Sequence, residues 1–344
     1  MKKTLLTICL VWMCFSLSAQ KIIDLSGKWS FSIDRQDNGE KEKWFSHTLN
    51  DFINLPGSMP EKLKGDEVTA KTQWTGSLYD SSYYYNPYME KYRKEGNIKF
   101  PFFLTPDKHY VGAAWYQKEV NIPADWKGER ILLFLERPHI ETTVWVNGQK
   151  TGMQNSLCVP HQYDITRYVR PGKCTITIRV DNRIKEINVG PDSHSITDQT
   201  QGNWNGIVGR ICLQTTPKTY FDDIQIYPEP EQKLARVKVV IKGTGTAKVK
   251  LSAESFNTDK KHIVPAIQQE IKLNKGVTET EMVLPMGNDM LLWDEFHPAL
   301  YKLKAEVTNG KKTEIKEIQF GMRRFEIKGK WFYVNEAGFC ARLH

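Results

Sequence analysis

The chain has 344 residues, enough for two domains with buried cores, and its 40% hydrophobic and 11% aromatic content belongs to a globular protein rather than a disordered one. Its formal charge of +8 arises from 48 Lys and Arg set against 40 Asp and Glu. The basic residues are dispersed along the chain instead of clustered, which argues against a nucleic-acid footprint.

The opening "MKKTLLTICLVWMCFSLSAQ" reads as a secretory signal. Lys2 and Lys3 form its positive end, Leu5 to Leu17 its apolar stretch, and Leu17-Ser18-Ala19 a small-residue cleavage site. The apolar run is short for a membrane span, and no later segment is apolar enough for one. Cleavage before Gln20 and a soluble exported product, periplasmic or extracellular, are therefore expected. Losing Lys2 and Lys3 lowers the formal charge from +8 to +6.

Residues 57–112 include the polar, aromatic stretch "TQWTGSLYDSSYYYNPYMEKYRKEGNIKFPFFL". A segment this long with little periodicity is functional or poorly ordered, and its Tyr and Phe density disfavours disorder. Trp74 and the run Tyr83-Tyr84-Tyr85 are candidates for stacking on carbohydrate, since an aromatic face packs on the C–H face of a pyranose. The alternative is that this loop lies flat against another part of the protein.

Strands follow. "RILLFLER" is an apolar run consistent with a strand buried on both faces. "TTVWVNGQKTG" puts Val144 and Val146 on one face and turns at Asn147-Gly148, a strong hairpin signal. "CTITIRVDN" repeats the period of two with Ile176, Ile178 and Val180 inward. Turn signals at 125–128 and 170–173 separate these runs, and no long amphipathic helix interrupts them. After a break near "TTPKTYFDD", the runs "ARVKVVIKGTGTAKVKLSAES", "TETEMVLPM" and "YKLKAEVTNGKKTEIKEIQFGMRR" are Lys/Glu-rich outside and Val/Leu-rich inside. The predicted fold is all-β: a β-sandwich followed by a smaller immunoglobulin-like sandwich.

Cys158, Cys174, Cys212 and Cys340 show no CxxC pair and no metal spacing, so isolated buried thiols are expected. Pairs 158–174 or 174–212 remain open in an oxidising compartment. His109, His139, His161 and His194 do not fall at metal spacing either. A glycine-rich phosphate loop, a G-x-S-x-G elbow and H-E-x-x-H are all missing, so no metal or cofactor is assigned.

Several phrases in order resemble glycoside hydrolase family 2, the β-galactosidase, β-glucuronidase and β-mannosidase group. They are "LSGKWSFSID", "INLPGSMP", "AAWYQKEVNIPADWKGERILLFLERPHIETTVWVNGQKTG", "YDITRYVRPGKCTITIRVDN", "GNWNGIVGRICL", "LLWDEFHPALYKLKAEV" and "FGMRRFEIKGKWFYVN". The resemblance implies a jelly-roll sugar-binding domain over 20–218, an immunoglobulin-like domain over 219–322, and a lead-in over 323–344 to a (β/α)8 barrel. That barrel would carry the two Glu of a retaining glycosidase, about 5–5.5 Å apart, one as acid/base and one as nucleophile. A barrel takes roughly 250 residues, so no catalytic residue is assigned to this chain.

In such proteins loops of the first domain reach the barrel's rim, and "SITDQTQGNWNGIVG" is the best candidate here. Asp198 and Gln199, eight and seven residues before Gly206, are similar to an acidic loop that approaches the sugar or an associated cation in some family members. Asp198 can accept two sugar hydroxyls while Trp204 offers a ring face. The plainer alternatives are that Asp198 caps a turn and Trp204 fills the sandwich core. His194, beside Asp192 in the same loop, is a default surface histidine. The carbohydrate-binding candidates are thus Asp198, Gln199, Trp204 and Trp74.

The sequence therefore points to the N-terminal, non-catalytic portion of an exported retaining β-glycosidase. The alternative is a standalone carbohydrate-binding or scaffold protein. The expected partners are a β-glycoside or polysaccharide, the absent barrel, and further copies of the chain through the barrel-facing surface. The family pattern holds to Asn335 and is lost in "EAGFCARLH", where Glu336 stands in place of a Gly and Arg342 precedes Leu343. A frameshift near 336 or a split coding sequence produces this. Translation of the downstream DNA in all three frames is expected to reveal barrel-like sequence; finding none favours the dedicated binding protein.

Overall fold

The computed structural model describes residues 21–75, 81–100, 105–185, 197–198, 202–335 and 337–339. The chain is all-β and divides into two units, Gln20–Thr216 and Pro217–His344. The expected signal segment and Cys340 lie outside the described residues, and among those described no helix is long and apolar enough to cross a membrane.

The first unit is a sandwich of two antiparallel sheets among the described residues. One runs Gln149–Asn155, Glu141–Val146, Gly172–Asp181, Ala113–Ile122, Gly27–Asp34, Asp51–Leu55. The other runs Ile22–Asp24, Gly206–Thr216, Arg130–Pro138, His161–Asp164, with Gly57–Ser58 beside Gly206–Thr216. Successive strand residues point to opposite faces, so Val144 and Val146, Ile176, Ile178 and Val180, and Trp29 and Phe31 share one face. They meet Ile131, Leu133, Leu135, Ile211 and Leu213 of the other sheet in a single core. The register between Glu141–Val146 and Gln149–Asn155 is set by the turn at Asn147 (φ 49°) and Gly148 (φ 77°). Both residues have the positive φ of a two-residue hairpin turn, which Asn and Gly tolerate best.

The middle of the larger sheet is also covered on its outer face. Trp115 and Trp145 point there, ring centroids 4.9 Å apart, and are covered by Trp44, Phe45 and Leu49 from the segment after Asp34. Asp34 pins that segment by accepting from the amides of Asn38 and Gly39 and from the Trp115 indole at 2.9, 2.8 and 2.9 Å. "RILLFLER" is buried on both faces over residues 131–133 and at Leu135; Phe134 is half-buried with the Arg210 guanidinium 5.1 Å from its ring centroid, and the charged ends reach outward, with Arg137 exposed. Cys174 and Cys212 are buried thiols, as expected. Cys158 departs from that expectation: it is an exposed thiol, because it sits in the loop between Gln149–Asn155 and His161–Asp164 instead of on an inward strand position.

A charged cluster closes the edge where Gly172–Asp181 ends. Arg179 pairs with Asp37 at 2.6 Å, Asp181 at 2.9 Å and Glu141 at 3.3 Å. Arg183 and Lys185 add contacts of 2.6 and 2.8 Å to Asp181. Three cations thus balance three carboxylates. Burial works to raise the Asp181 pKa, but hydrogen bonds from Arg183 and Lys185 and the Arg179 charge outweigh it, holding the carboxyl well below its usual range.

In the second unit, Tyr220–Glu229, Leu234–Phe256, Leu300–Asn309 and Lys312–Phe320 form one antiparallel path, with Ile263–Pro285 paired to Leu234–Phe256. The long Leu234–Phe256 strand pairs with Tyr220–Glu229 along its first part and with Leu300–Asn309 along its last, with irregular register at Gly243/Gly245. One strand therefore serves both halves of the small sandwich around Val237, Val239, Val249, Leu251, Leu303 and Val307. "KWFYVN" is a strand, Trp331–Val334, in a three-stranded sheet with Phe325–Lys328 and Ala337–Phe339. Asn335 ties this sheet down by donating from Nδ2 to the Trp293 carbonyl at 2.8 Å.

Asp181 is fully buried among cations, whereas Arg183 is only half-buried. Asp181→Ala is expected to cost about 3 kcal/mol by leaving buried cations uncompensated. Arg183→Gln should cost about 1 kcal/mol or less. Urea denaturation of the two variants checks the difference; equal effects would rule out Asp181 as the centre of the cluster.

Candidate functional site

The candidate site lies at the end of the first sandwich, where the chain leaves at Asp181 and returns at Gly206. Gly206 has no room for a side chain: a Cβ there would sit 2.5 Å from the Gly57 carbonyl oxygen. That close approach lets Gly57–Ser58 pair with the incoming strand.

Three asparagines hold the loops here in place of ladder hydrogen bonds. Asn205, fully buried, donates from Nδ2 to the Gly112 and Val180 carbonyls, both at 2.9 Å, and accepts from the Tyr116 hydroxyl at 2.7 Å. Burial raises the Tyr116 pKa well above its ordinary value, so the phenol stays protonated and donates. Asn182 accepts from the Gly112 amide at 2.8 Å and donates to the Tyr110 carbonyl at 2.9 Å. Asn203 donates from Nδ2 to Thr75 Oγ1 at 2.9 Å and to the Asn182 carbonyl at 3.0 Å.

Asp198 is buried inside this mesh. Its Oδ1 accepts from the Asn203 amide and its Oδ2 from the Thr75 amide, both at 2.6 Å, and its own amide donates to the Thr75 carbonyl at 3.1 Å. The carboxylate therefore bridges the loop at 197–203 to the insertion at Thr75. Each oxygen keeps acceptor capacity beyond its one amide. Gln199, like Asp192 and His194, lies outside the described residues.

Trp74 and Trp204 stand on opposite sides of that mesh in sequence and in contacts. Trp74 is half-buried, its ring 4.8 Å from Phe100 edge-on and 4.6 Å from His109. His109 Nε2 lies 3.2 Å from the Gln73 carbonyl, which can only accept. Nε2 is also 4.0 Å from Asp198 Oδ2. Trp204 is half-buried rather than part of the sandwich core, with its ring 4.4 Å from His139 at 70°.

His109 and His139 are buried, a feature that a lone His in a sequence does not announce. His139 is 3% exposed, yet among the described residues neither ring nitrogen has a hydrogen-bond partner, and His109 Nδ1 and Asn203 Oδ1 are also buried without one there. Each such group costs about 1–3 kcal/mol when left unpaired. Among the described residues, these atoms gather near 197–198 and 202–206: His109 Nε2 is 4.0 Å from Asp198 Oδ2, and the His139 amide donates to the Gly206 carbonyl at 3.2 Å. Among the described residues, no group of His, Cys, Asp or Glu is arranged to hold a metal ion.

The Tyr run is split by the fold. Tyr83 is buried, stacked on Phe100 at 4.8 Å, whereas Tyr85 is exposed.

The sequence pattern of "Glycosyl hydrolases family 2, sugar binding domain" matches residues 22–217, and that of "Glycosyl hydrolases family 2" matches residues 219–323. A β-glucuronidase of Paenibacillus borealis is 24% identical over 92% of this chain and 48% of its own length. A β-galactosidase of Clostridium acetobutylicum is 25% identical over 89% of this chain and 32% of its own. A solved β-glucuronidase from an uncultured Clostridium sp. superposes with a TM-score of 0.62 at 22% identity, covering 94% of this chain and 48% of that one. The β-glucuronidase of Ruminococcus gnavus gives 0.61 at 18% identity. The chain thus spans about half the length of the curated β-glucuronidase relative, and its likeness to the solved proteins is one of fold.

Burial lowers the His139 pKa from 6.5 to about 4. Above pH 6.5 the ring is neutral in both folded and unfolded chains and contributes nothing. As pH falls through 6.5 towards 4 the unfolded chain takes up the proton first, so stability falls, by roughly 3 kcal/mol in all. His139→Phe is expected to remove this dependence, read as the wild-type-minus-variant difference in urea stability between pH 4 and 7. His161, also depressed by burial, is common to both proteins and cancels. A difference that does not vary with pH would show that His139 is not buried as a neutral ring.

Proposed function

The chain belongs to glycoside hydrolase family 2, and from that premise we propose that it is the N-terminal, non-catalytic portion of an exported retaining β-glycosidase. The observation that carries this reading is the order of the two matched patterns, sugar-binding domain then second domain, across residues 22–323 of a chain half as long as its curated β-glucuronidase relative. The two carboxylates of retaining chemistry, one nucleophile and one acid/base, would belong to the part of the family architecture beyond these domains. The present residues would contribute binding and support. Asp198 and the asparagine mesh would fix the loops at the sandwich end, and His139, His109, Asn203 and Trp204 would meet the glycoside there. Export rests on the signal-like opening "MKKTLLTICLVWMCFSLSAQ".

The three-stranded sheet that begins at Phe325 supports a docking role for the second unit. Phe325, Ile327 and Trp331 are exposed, at 58%, 66% and 50%, and Phe332 stacks on Phe325 at 5.5 Å. Apolar side chains gathered on one small exposed sheet mark an interaction surface. The remainder of the glycosidase would cover it, and in its absence a second copy of the chain would. Sedimentation velocity is expected to show concentration-dependent association that Trp331→Lys weakens. A monomer at all concentrations would remove this surface from the account. Calorimetry with methyl β-glucuronide and methyl β-galactoside is expected to give millimolar or weaker affinity, and micromolar affinity would instead support a dedicated binding protein.

A further inference from the structure

The segment Ser81–Phe100 of the insertion is locked from several sides. Tyr83, 1% exposed, stacks on Phe100 and donates from its hydroxyl to the Tyr92 carbonyl at 2.8 Å. The Asn86 side chain accepts from the Tyr88 amide at 3.0 Å, capping the turn Pro87–Tyr92. The Arg93 guanidinium reaches back to the carbonyls of Tyr83 and Asn86, and the Lys99 amide donates to the Tyr92 carbonyl at 3.0 Å. On this fixed frame Tyr85 and Tyr88 stand 73% and 85% exposed. Two rings held in water on a rigid scaffold do nothing for the fold that carries them.

Cations accompany them. Residues three apart eclipse in a 3₁₀ helix, so Lys91 lies on the same side of Pro87–Tyr92 as Tyr88. The Lys91 and Lys99 ammonium groups lie 4.9 and 5.9 Å from the centroid of one ring, Tyr92. Among the described residues neither is ion-paired, whereas their neighbour Lys94 is matched to Glu90 at 3.3 Å. Two ammonium groups brought to one ring, neither ion-paired among the described residues, form an anion-attracting position on the turn that bears the exposed Tyr88.

We infer that Tyr85, Tyr88, Lys91 and Lys99 form an accessory binding surface for an anionic polysaccharide, such as a uronate-bearing chain. The tyrosine rings pack against the C–H faces of successive sugars, and the ammonium groups pair with their carboxylates. A protein partner fits the surface less well, because lysine is depleted where protein interfaces are buried, and two exposed rings are a small apolar patch. The inference rests on the reading of this chain as part of a carbohydrate-active protein. It names the class of polymer and a surface outside the matched loop at 197–206.

Native affinity electrophoresis of the full chain tests it, in gels containing polygalacturonate, neutral hydroxyethyl cellulose or polyglutamate. Polygalacturonate is expected to retard the protein more than either other polymer. Tyr85→Ala/Tyr88→Ala should weaken that retardation by roughly tenfold in affinity, as loss of two stacking rings implies. Lys91→Gln/Lys99→Gln should weaken it and flatten its salt dependence. All four side chains are exposed, and unchanged melting of the variants verifies their folding. The inference is overturned by no retardation in polygalacturonate, by equal retardation in polyglutamate, or by retardation that the tyrosine variant leaves intact. It is also overturned if the tyrosine variant instead dissolves an oligomer in sedimentation, which would make the surface a contact between copies. None of these outcomes bears on the glycosidase reading, whose test by glycoside calorimetry uses a different site and the unaltered chain.

Discussion

The loop end of the first sandwich depends on Asn205. Its buried amide meets two backbone carbonyls and one side-chain hydroxyl at once, joining Gly112, Val180 and Tyr116 where the strands part and no ladder can continue. A buried amide of this kind must be fully paired or it becomes costly, which explains the company it keeps. Asn182 and Asn203 extend the mesh to Tyr110 and Thr75, and Asp198 closes it with two backbone amides. The insertion that bears Trp74 is thereby tied to the same framework as the sandwich strands.

Within and beside that mesh, buried polar atoms of His139, His109 and Asn203 have no hydrogen-bond partner among the described residues. On the reading proposed above, these atoms would be the ones that a sugar hydroxyl reaches. Trp204 against His139 and Trp74 against His109 give each imidazole an aromatic wall, so polar and apolar surfaces alternate as they do in sugar sites. Membership of family 2 gives this arrangement its context, since it falls within the residues that match the family's sugar-binding domain.

Much of the fold was legible in the sequence because it follows a period of two. Val144, Val146, Ile176, Ile178 and Val180 were placed inward by alternation alone, and Asn147-Gly148 fixed a hairpin by its backbone requirement. The same rule could not reveal what covers the opposite face, since Trp44, Phe45 and Leu49 come from an irregular segment pinned through Asp34. The ionic cluster was hidden for a related reason: Asp37 meets Arg183 across a long stretch of chain, and only the sheet brings them together. At the site, the "TDQTQGNWNG" phrase drew attention to Asp198 and Trp204, and the aromatic insertion to Trp74. The burial of His109 and His139, and the division of Tyr83 from Tyr85, depend on tertiary contacts that no local pattern encodes. Asn203 and Asn205 did leave a trace, as polar residues crowding the start of the apolar strand Gly206–Thr216.

The central claim is that this chain is the binding and supporting part of a β-glycosidase and not its catalyst. The most direct measurement is hydrolysis of aryl β-glucuronide, β-galactoside and β-mannoside by the purified chain. The account predicts no turnover with any of the three, at any protein concentration. Saturable release of the aglycone that co-purifies with the chain would contradict it, and would place a catalytic carboxylate pair within these two sandwiches.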